Sequence, residues 1–219
     1  MLKLVPSLVS GSPLRLLCLG AHSDDIEIGC GGTVLALLER FANVAVRWIV
    51  FSANDERARE AYNSAAAFLG RVQEKEIVIK GFRDGYFPFN GAQIKDEFES
   101  IRQGFSPDLI FTHYRNDRHQ DHRLVSDLTW NTFRDHWVLE YEIPKYDGDF
   151  GQPNLFVPLA DSVCARKIQL IMESFKTQQQ KQWFDPQTFW ALLRLRGMEA
   201  NSSTRNAEAF YCRKTVVQA

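Results

Sequence analysis

The sequence predicts an α/β protein of the Rossmann-like kind, a mostly parallel β-sheet with helices on both faces. Three observations carry this. Short apolar runs bounded by turn residues, Leu14–Leu19, Val44–Phe51 and Leu109–Thr112, read as strands buried on both sides. Stretches with apolar residues at helical spacing, or rich in strong helix formers, lie between them, so strands and helices alternate. With 219 residues, 45% of them hydrophobic, and no internal repeat or linker, residues 1–219 read as a single domain with a sizeable core.

In order, Leu14–Leu19 is the first strand. Thr33 to Phe41 places Val34, Leu35, Leu37, Leu38 and Phe41 at helical spacing, so the segment before it reads as a loop whose Gly29, Gly31 and Gly32 let the chain pass close to a neighbour or a ligand. A dinucleotide-binding reading of these glycines is weak, because they follow the acidic cluster instead of the strand and lack the G-x-G-x-x-G order. Val44–Phe51 is the second strand, and Ala58–Leu69 is an Ala-rich helix stopped at Gly70. Glu76–Lys80 is a short third strand. The following segment, 81–91, holds Phe82, Tyr86, Phe87 and Phe89 and reads either as packing under the domain edge or as an apolar wall for a substrate. A helix over Ile94–Phe105 leads to the strand Leu109–Thr112. Then come a helix over Arg123–Arg134, a strand over Trp137–Ile143, a loop over Pro144–Pro158 long enough to act as a lid, helices over Ser162–Phe175 and Thr188–Met198, and a last strand over Glu208–Arg213.

The first strand discharges into His22-Ser23-Asp24-Asp25. Side chains just past the carboxyl end of a strand line the ligand crevice of an open α/β sheet. Imidazole plus carboxylate suits a catalytic divalent metal such as zinc, with His22 and Asp25 turned to one point and Asp24 left free beside it. An Asp pair after a strand is equally a helix cap. The fourth strand also ends in a dense group, His113 through Asp117, His119, Asp121 and His122. Three of the five His of the chain fall here, and two strand tips each carrying His and Asp can supply the roughly three protein ligands of an open metal site.

His22-Ser23-Asp24-Asp25-Ile26-Glu27-Ile28-Gly29 with Gly31-Gly32-Thr33, together with His119-Gln120-Asp121-His122, resembles the paired signature of the PIG-L/LmbE-like family of zinc-dependent N-deacetylases. Weaker matches at Arg57–Ala61, Leu69-Gly70, Asp84-Gly85 and Ala207–Phe210 extend the likeness from residue 14 to about 212. Ser23 stands where the family usually has Pro, a change of backbone rigidity with little chemical consequence.

The resemblance implies a metal-dependent hydrolase that removes the N-acetyl group from an amino sugar or sugar conjugate. It implies zinc, or another divalent ion such as Fe2+, on His22, Asp25 and His122. Asp24 is then the general base, His119 the donor to the oxyanion, and Asp121 the carboxylate that orients one of the two imidazoles beside it. Arg57 becomes a candidate for gripping a sugar hydroxyl or phosphate, against the plain alternative of a surface ion pair, and Asp84 a neighbour of the pocket. His113 reads as structural or as a partner of a ligand, and His136 as packing. Two other readings stand beside deacetylation: a two-metal phosphoesterase, and a sugar-binding module without chemistry.

Composition narrows the partners. A net charge of −1, from 26 basic and 27 acidic residues, gives no global field to attract nucleic acid or an anionic membrane. The expected partner is a small N-acetylated sugar, and a homo-oligomer is compatible with the sequence. Cys18, Cys30, Cys164 and Cys212 form no C-x-x-C pair. With an N-terminus broken at Pro6, Gly11 and Pro13, and no run of 18 apolar residues, the chain reads as a reduced, cytoplasmic protein without a membrane span.

Overall fold

The first described element, β1 (Leu14–Gly20), lies inside the sheet, third of seven strands. The computed structural model describes residues 12–216; the reading of the N-terminus up to Gly11 as no signal peptide lies outside them. On one side β1 pairs in parallel with β2 (Val44–Val50), Leu14 facing Val44 and Gly20 facing Val50, and β2 pairs in parallel with β3 (Glu74–Ile79). On its other side β1 pairs with β4 (Leu109–His113), and β4 with β5 (Trp137–Tyr141), again in parallel. The sheet is completed by β6 (Leu155–Leu159) and β7 (Asn206–Tyr211) in the order β3-β2-β1-β4-β5-β7-β6. Since β7 is antiparallel to both β5 and β6, it alone of the seven strands runs against the rest. The mostly parallel α/β expectation is met.

Right-handed crossovers decide where the helices lie. Helices α1 (Asp25–Arg40) and α2 (Asp55–Phe68) carry the chain outward from β1 to β2 and β3 and pack on one face, joined by α5 (Asp161–Ser174) and α6 (Pro186–Glu199). Helices α3 (Gly91–Gly104) and α4 (Gln120–Thr132) carry it back across to β4 and β5 and pack on the other. Alternate residues of β1 therefore serve two cores: Leu14, Leu16 and Cys18 with Ile28, Val34, Phe68 and Ile168, and Leu17 and Leu19 with Ile94, Phe98 and Val125. Edge strand β3 begins with exposed Glu74, Lys75 and Glu76, charges that blunt a free edge.

Two expectations are corrected. Gly29, Gly31 and Gly32 sit inside α1, which starts at Asp25 and not at Thr33. They serve close packing: a Cβ on Gly29 would run into the Tyr141 ring, and one on Gly32 would meet Leu159 Cδ1 at 2.6 Å and Glu208 Oε1 at 2.9 Å. At that point Glu208 accepts from the amides of Gly32 (2.8 Å) and Thr33 (2.6 Å), and Lys167 Nζ reaches both Glu208 Oε1 (2.6 Å) and the Ile28 carbonyl (2.7 Å). Glycine here buys helix–sheet contact instead of a loop. The second correction is the loop over Pro144–Pro158, whose end belongs to β6; Pro158 is tolerated because β6 is an edge strand.

Candidate metal centre

The order of the sheet reverses between β1 and β4, since β1 leads outward to β2 and β4 outward to β5. Such a switch point opens a crevice beyond the carboxyl ends of the two strands. The segment after β1 and the segment after β4 both enter it. The structure brings together His22, Asp24, Asp25, Asp84, His119, Asp121 and His122, the distant halves of the sequence pattern.

Asp24 occupies the N-cap position of α1, yet its side chain makes no capping hydrogen bond. Asp25 instead folds back, Oδ2 accepting from the His22 amide at 2.6 Å. The helix-cap reading of the pair therefore does not account for Asp24. Its Oδ1 is held by Arg57 Nη2 at 3.0 Å, whereas Oδ2 is buried without a partner. Burial raises the Asp24 carboxyl above the usual range, with Arg57 opposing it. Arg57 sits in the first turn of α2, whose Asn54 cap accepts from the Arg57 amide at 3.0 Å.

The hydrogen bonds of the imidazoles fix which nitrogen carries each proton. His122 Nδ1 lies 2.9 Å from Asp117 Oδ2, so it donates there and leaves Nε2 as a lone pair. His22 Nε2 lies 3.1 Å from Asp84 Oδ1 and 3.3 Å from Asp121 Oδ2, so it donates outward and leaves Nδ1 as a lone pair. Those two lone pairs face each other at 3.1 Å, with Asp25 Oδ2 3.4 Å from the first and 3.6 Å from the second. A tetrahedral ion bound at 2.0–2.2 Å needs donor separations of ~3.3–3.6 Å, and needs lone pairs aimed inward. The 3.4 and 3.6 Å separations fall in that range, the 3.1 Å one lies just short of it, and the lone pairs aim inward, so the donor set fits a divalent metal.

The electrostatics mark the place between the donors as a seat for positive charge, which a proton on His22 Nδ1 takes when no cation is bound. Burial opposes charge on His22, but Asp121, Asp25 and Asp84 outweigh it and push its pKa well up. Burial, with His113 alongside, holds His122 down to about 3. Burial works against the Asp25 carboxylate, yet His122 and His113 hold it well below its usual range. One buried pocket thus keeps an anionic carboxylate beside a neutral imidazole.

His119 caps α4, its Nδ1 accepting from the Asp121 amide at 3.3 Å, which puts its proton on Nε2. It is the N-cap itself, since α4 begins at Gln120 and not at Arg123. The Asp121 carboxylate serves neither His119 nor His122: it reaches His22 and accepts from the amides of Gly85 (2.6 Å) and Phe87 (3.1 Å), tying down the 81–91 segment. Gln120 also bonds the Gly85 carbonyl. Within that segment Phe87 is fully buried while Tyr86 and Phe89 are exposed, so it both packs and presents a rim.

Asp117 performs for His122 what was expected of Asp121, and sequence reasoning missed it, although its place two residues before His119 was a usable signal. His113 is fully buried, with Nε2 2.9 Å from the Ala21 amide and 3.2 Å from Asp25 Oδ2, and its ring is stacked on that of His122 at 3.9 Å. Asp25, His113 and His122 form a second grouping of donors that shares members with the first. His136 packs edge-on against Phe133, away from the crevice.

Residues 17–133 match the family PIG-L, GlcNAc-PI de-N-acetylase. Among solved structures, the N,N'-diacetylchitobiose deacetylase from Pyrococcus horikoshii is similar at 19% identity and a TM-score of 0.69, with 91% of this chain and 84% of that one covered. The zinc-inhibited form of teicoplanin deacetylase Orf2 is similar at 13% identity and TM-score 0.65, covering 90% and 96%. GalB, the 4-carboxy-2-hydroxymuconate hydratase from Pseudomonas putida KT2440, is similar at 16% identity and TM-score 0.68, covering 94% and 98%. At these identities the three structures share the fold, and one scaffold carries both deacetylases and a hydratase.

Proposed function

Because more than half of its length matches the family, the chain belongs to the PIG-L family of GlcNAc-PI de-N-acetylases, and on that footing we propose that it is a metal-dependent hydrolase removing the N-acetyl group of an amino sugar or sugar conjugate. The observation that carries this reading is the partnerless Asp24 Oδ2 beside three inward-facing donors, His22 Nδ1, Asp25 Oδ2 and His122 Nε2. A base without a partner, next to a place for a cation, is what hydrolysis of an amide requires.

A divalent ion held by His22, Asp25 and His122, zinc or Fe2+, supplies Lewis acidity that acidifies water and polarises the amide carbonyl. Arg57 fixes Asp24 Oδ1, which leaves Oδ2 to take the proton of the attacking water. The water oxygen bonds to the carbonyl carbon, and the carbonyl oxygen becomes negative. His119 Nε2–H is the donor for that oxygen, worth about 2.7–4 kcal/mol for a preorganised group of this kind. Asp24 returns the proton to the amine nitrogen as the C–N bond breaks, giving acetate and a free amine. Asp121 keeps His22 turned inward, and Asp84, more exposed, faces the entry with Arg57 as contacts for the sugar.

The substrate is a small N-acetylated sugar. No helix among the described residues is long and apolar enough to cross a membrane, and the free thiols of Cys18, Cys30 and Cys164 are buried, which suits a reducing cytoplasm. The deciding experiment incubates the metal-loaded protein with a panel of N-acetylated amino sugars and measures released acetate. Release from one or more, abolished by Asp24→Asn, is expected; no release from any would sink the reading.

A further inference from the structure

The 144–151 segment is fastened beside the candidate metal centre by the side chains of Lys145 and Asp149. Lys145 Nζ lies 2.9 Å from Asp117 Oδ2 and 2.6–2.7 Å from both oxygens of Asp149, and all three side chains are largely buried. Asp149 Oδ2 in turn accepts from the Arg118 amide at 2.6 Å, and Asp117 Oδ1 from the His119 amide at 2.7 Å. The oxygen that receives Lys145 is the same one that receives His122 Nδ1, at 2.9 Å.

We propose that Lys145 is a positioning residue for the metal centre, acting on His122 through Asp117. This rests on the metal-site reading of His22, Asp25 and His122. A carboxylate behind a ligating imidazole sets the ring's orientation and raises its basicity. Lys145 Nζ bridges Asp117 Oδ2 and both oxygens of Asp149, so the ammonium ties the two carboxylates together and holds Asp117 Oδ2 at the His122 Nδ1–H. The same contacts hold the 144–151 segment against Asp117 and Arg118, so order in this segment and grip on the ion rise and fall together.

The test is zinc affinity by chelator competition, with the visible spectrum of the Co2+-substituted protein as a second readout, for wild type, Lys145→Met, Asp117→Asn and the double variant. Lys145→Met is expected to weaken zinc about tenfold, with a changed Co2+ spectrum, and Lys145→Arg to restore most of the loss. In the Asp117→Asn background Lys145→Met should have little further effect, because the two act in series. Circular dichroism identifies the folded variants; should Lys145→Met fail to fold, Lys145→Gln takes its place. Wild-type affinity and spectrum in the folded variant, or losses that simply add in the double variant, would overturn the proposal. A wild-type protein that binds no metal would instead overturn the metal-site reading on which it rests.

Discussion

His22 Nδ1 and His122 Nε2 stand 3.1 Å apart with each ring's other nitrogen committed to a carboxylate, His22 to Asp84 and Asp121, His122 to Asp117. Two lone pairs at that distance repel unless something positive lies between them or a proton is taken up. The carboxylates around the rings therefore act as one device that turns both donors inward.

One metal ion per chain is the expected stoichiometry, because among the described residues the grouping His22, His119 and His122 shares members with each of the other two, His22–Asp84–His119–Asp121 and Asp25–His113–His122. Elemental analysis after dialysis against zinc measures it. His122→Ala should lose the ion together with activity, whereas two equivalents in the wild type would favour the phosphoesterase reading.

Asp24→Asn should retain the ion and lose a factor of about 10²–10⁴ in kcat, the usual contribution of a general base. His119→Ala should also retain it and lose about 10²–10³ in kcat with a modest change in KM. Acetate release and metal content, read on the same samples, check both. Loss of metal in Asp24→Asn would move that residue into the ligand set.

Gly29→Ala sets two effects against each other. Alanine gains up to about 1 kcal/mol of helix propensity, but its methyl runs into the Tyr141 ring, and overpacking costs roughly 1–3 kcal/mol. The net expectation is a loss of stability, visible as a lower urea midpoint. The Tyr141 hydroxyl, 2.6 Å from the Leu19 carbonyl, anchors the ring beside His113 and limits its retreat.

Lys167→Met leaves Glu208 buried, still on the amides of Gly32 and Thr33 but without its cation. Breaking a buried pair from one side costs about 3–5 kcal/mol. Denaturant unfolding should show that loss. Unchanged stability would mean that Glu208 takes a proton at little cost.

The strands β1, β2 and β4 were legible because each is a continuous apolar run, and the two His/Asp clusters because they stand at strand tips. The start of α1 was not. Gly29, Gly31 and Gly32 are poor helix formers, and what keeps them helical is tertiary: Tyr141, Phe68, Leu159 and Glu208 fill the space that side chains would otherwise take. β6 was hidden by Pro158 and by the turn residues before it. Asp117 could have been read from its place in the second cluster, but Lys145 carried no signal, since only the folded chain brings it from beyond β5 to Asp117.

Helix α1 is locked to the sheet through its glycines, and Asp25 rides on its first turn with Asp24 at its cap. That half of the crevice has no room to swing. The exposed aromatics lie elsewhere, Tyr86 and Phe89 following Asp84, and Tyr146 and Phe150 beside Lys145 and Asp149 in the chain. On the proposed reading, exchanging those rings is the change expected to alter which sugar is accepted while the anvil of α1 stays untouched.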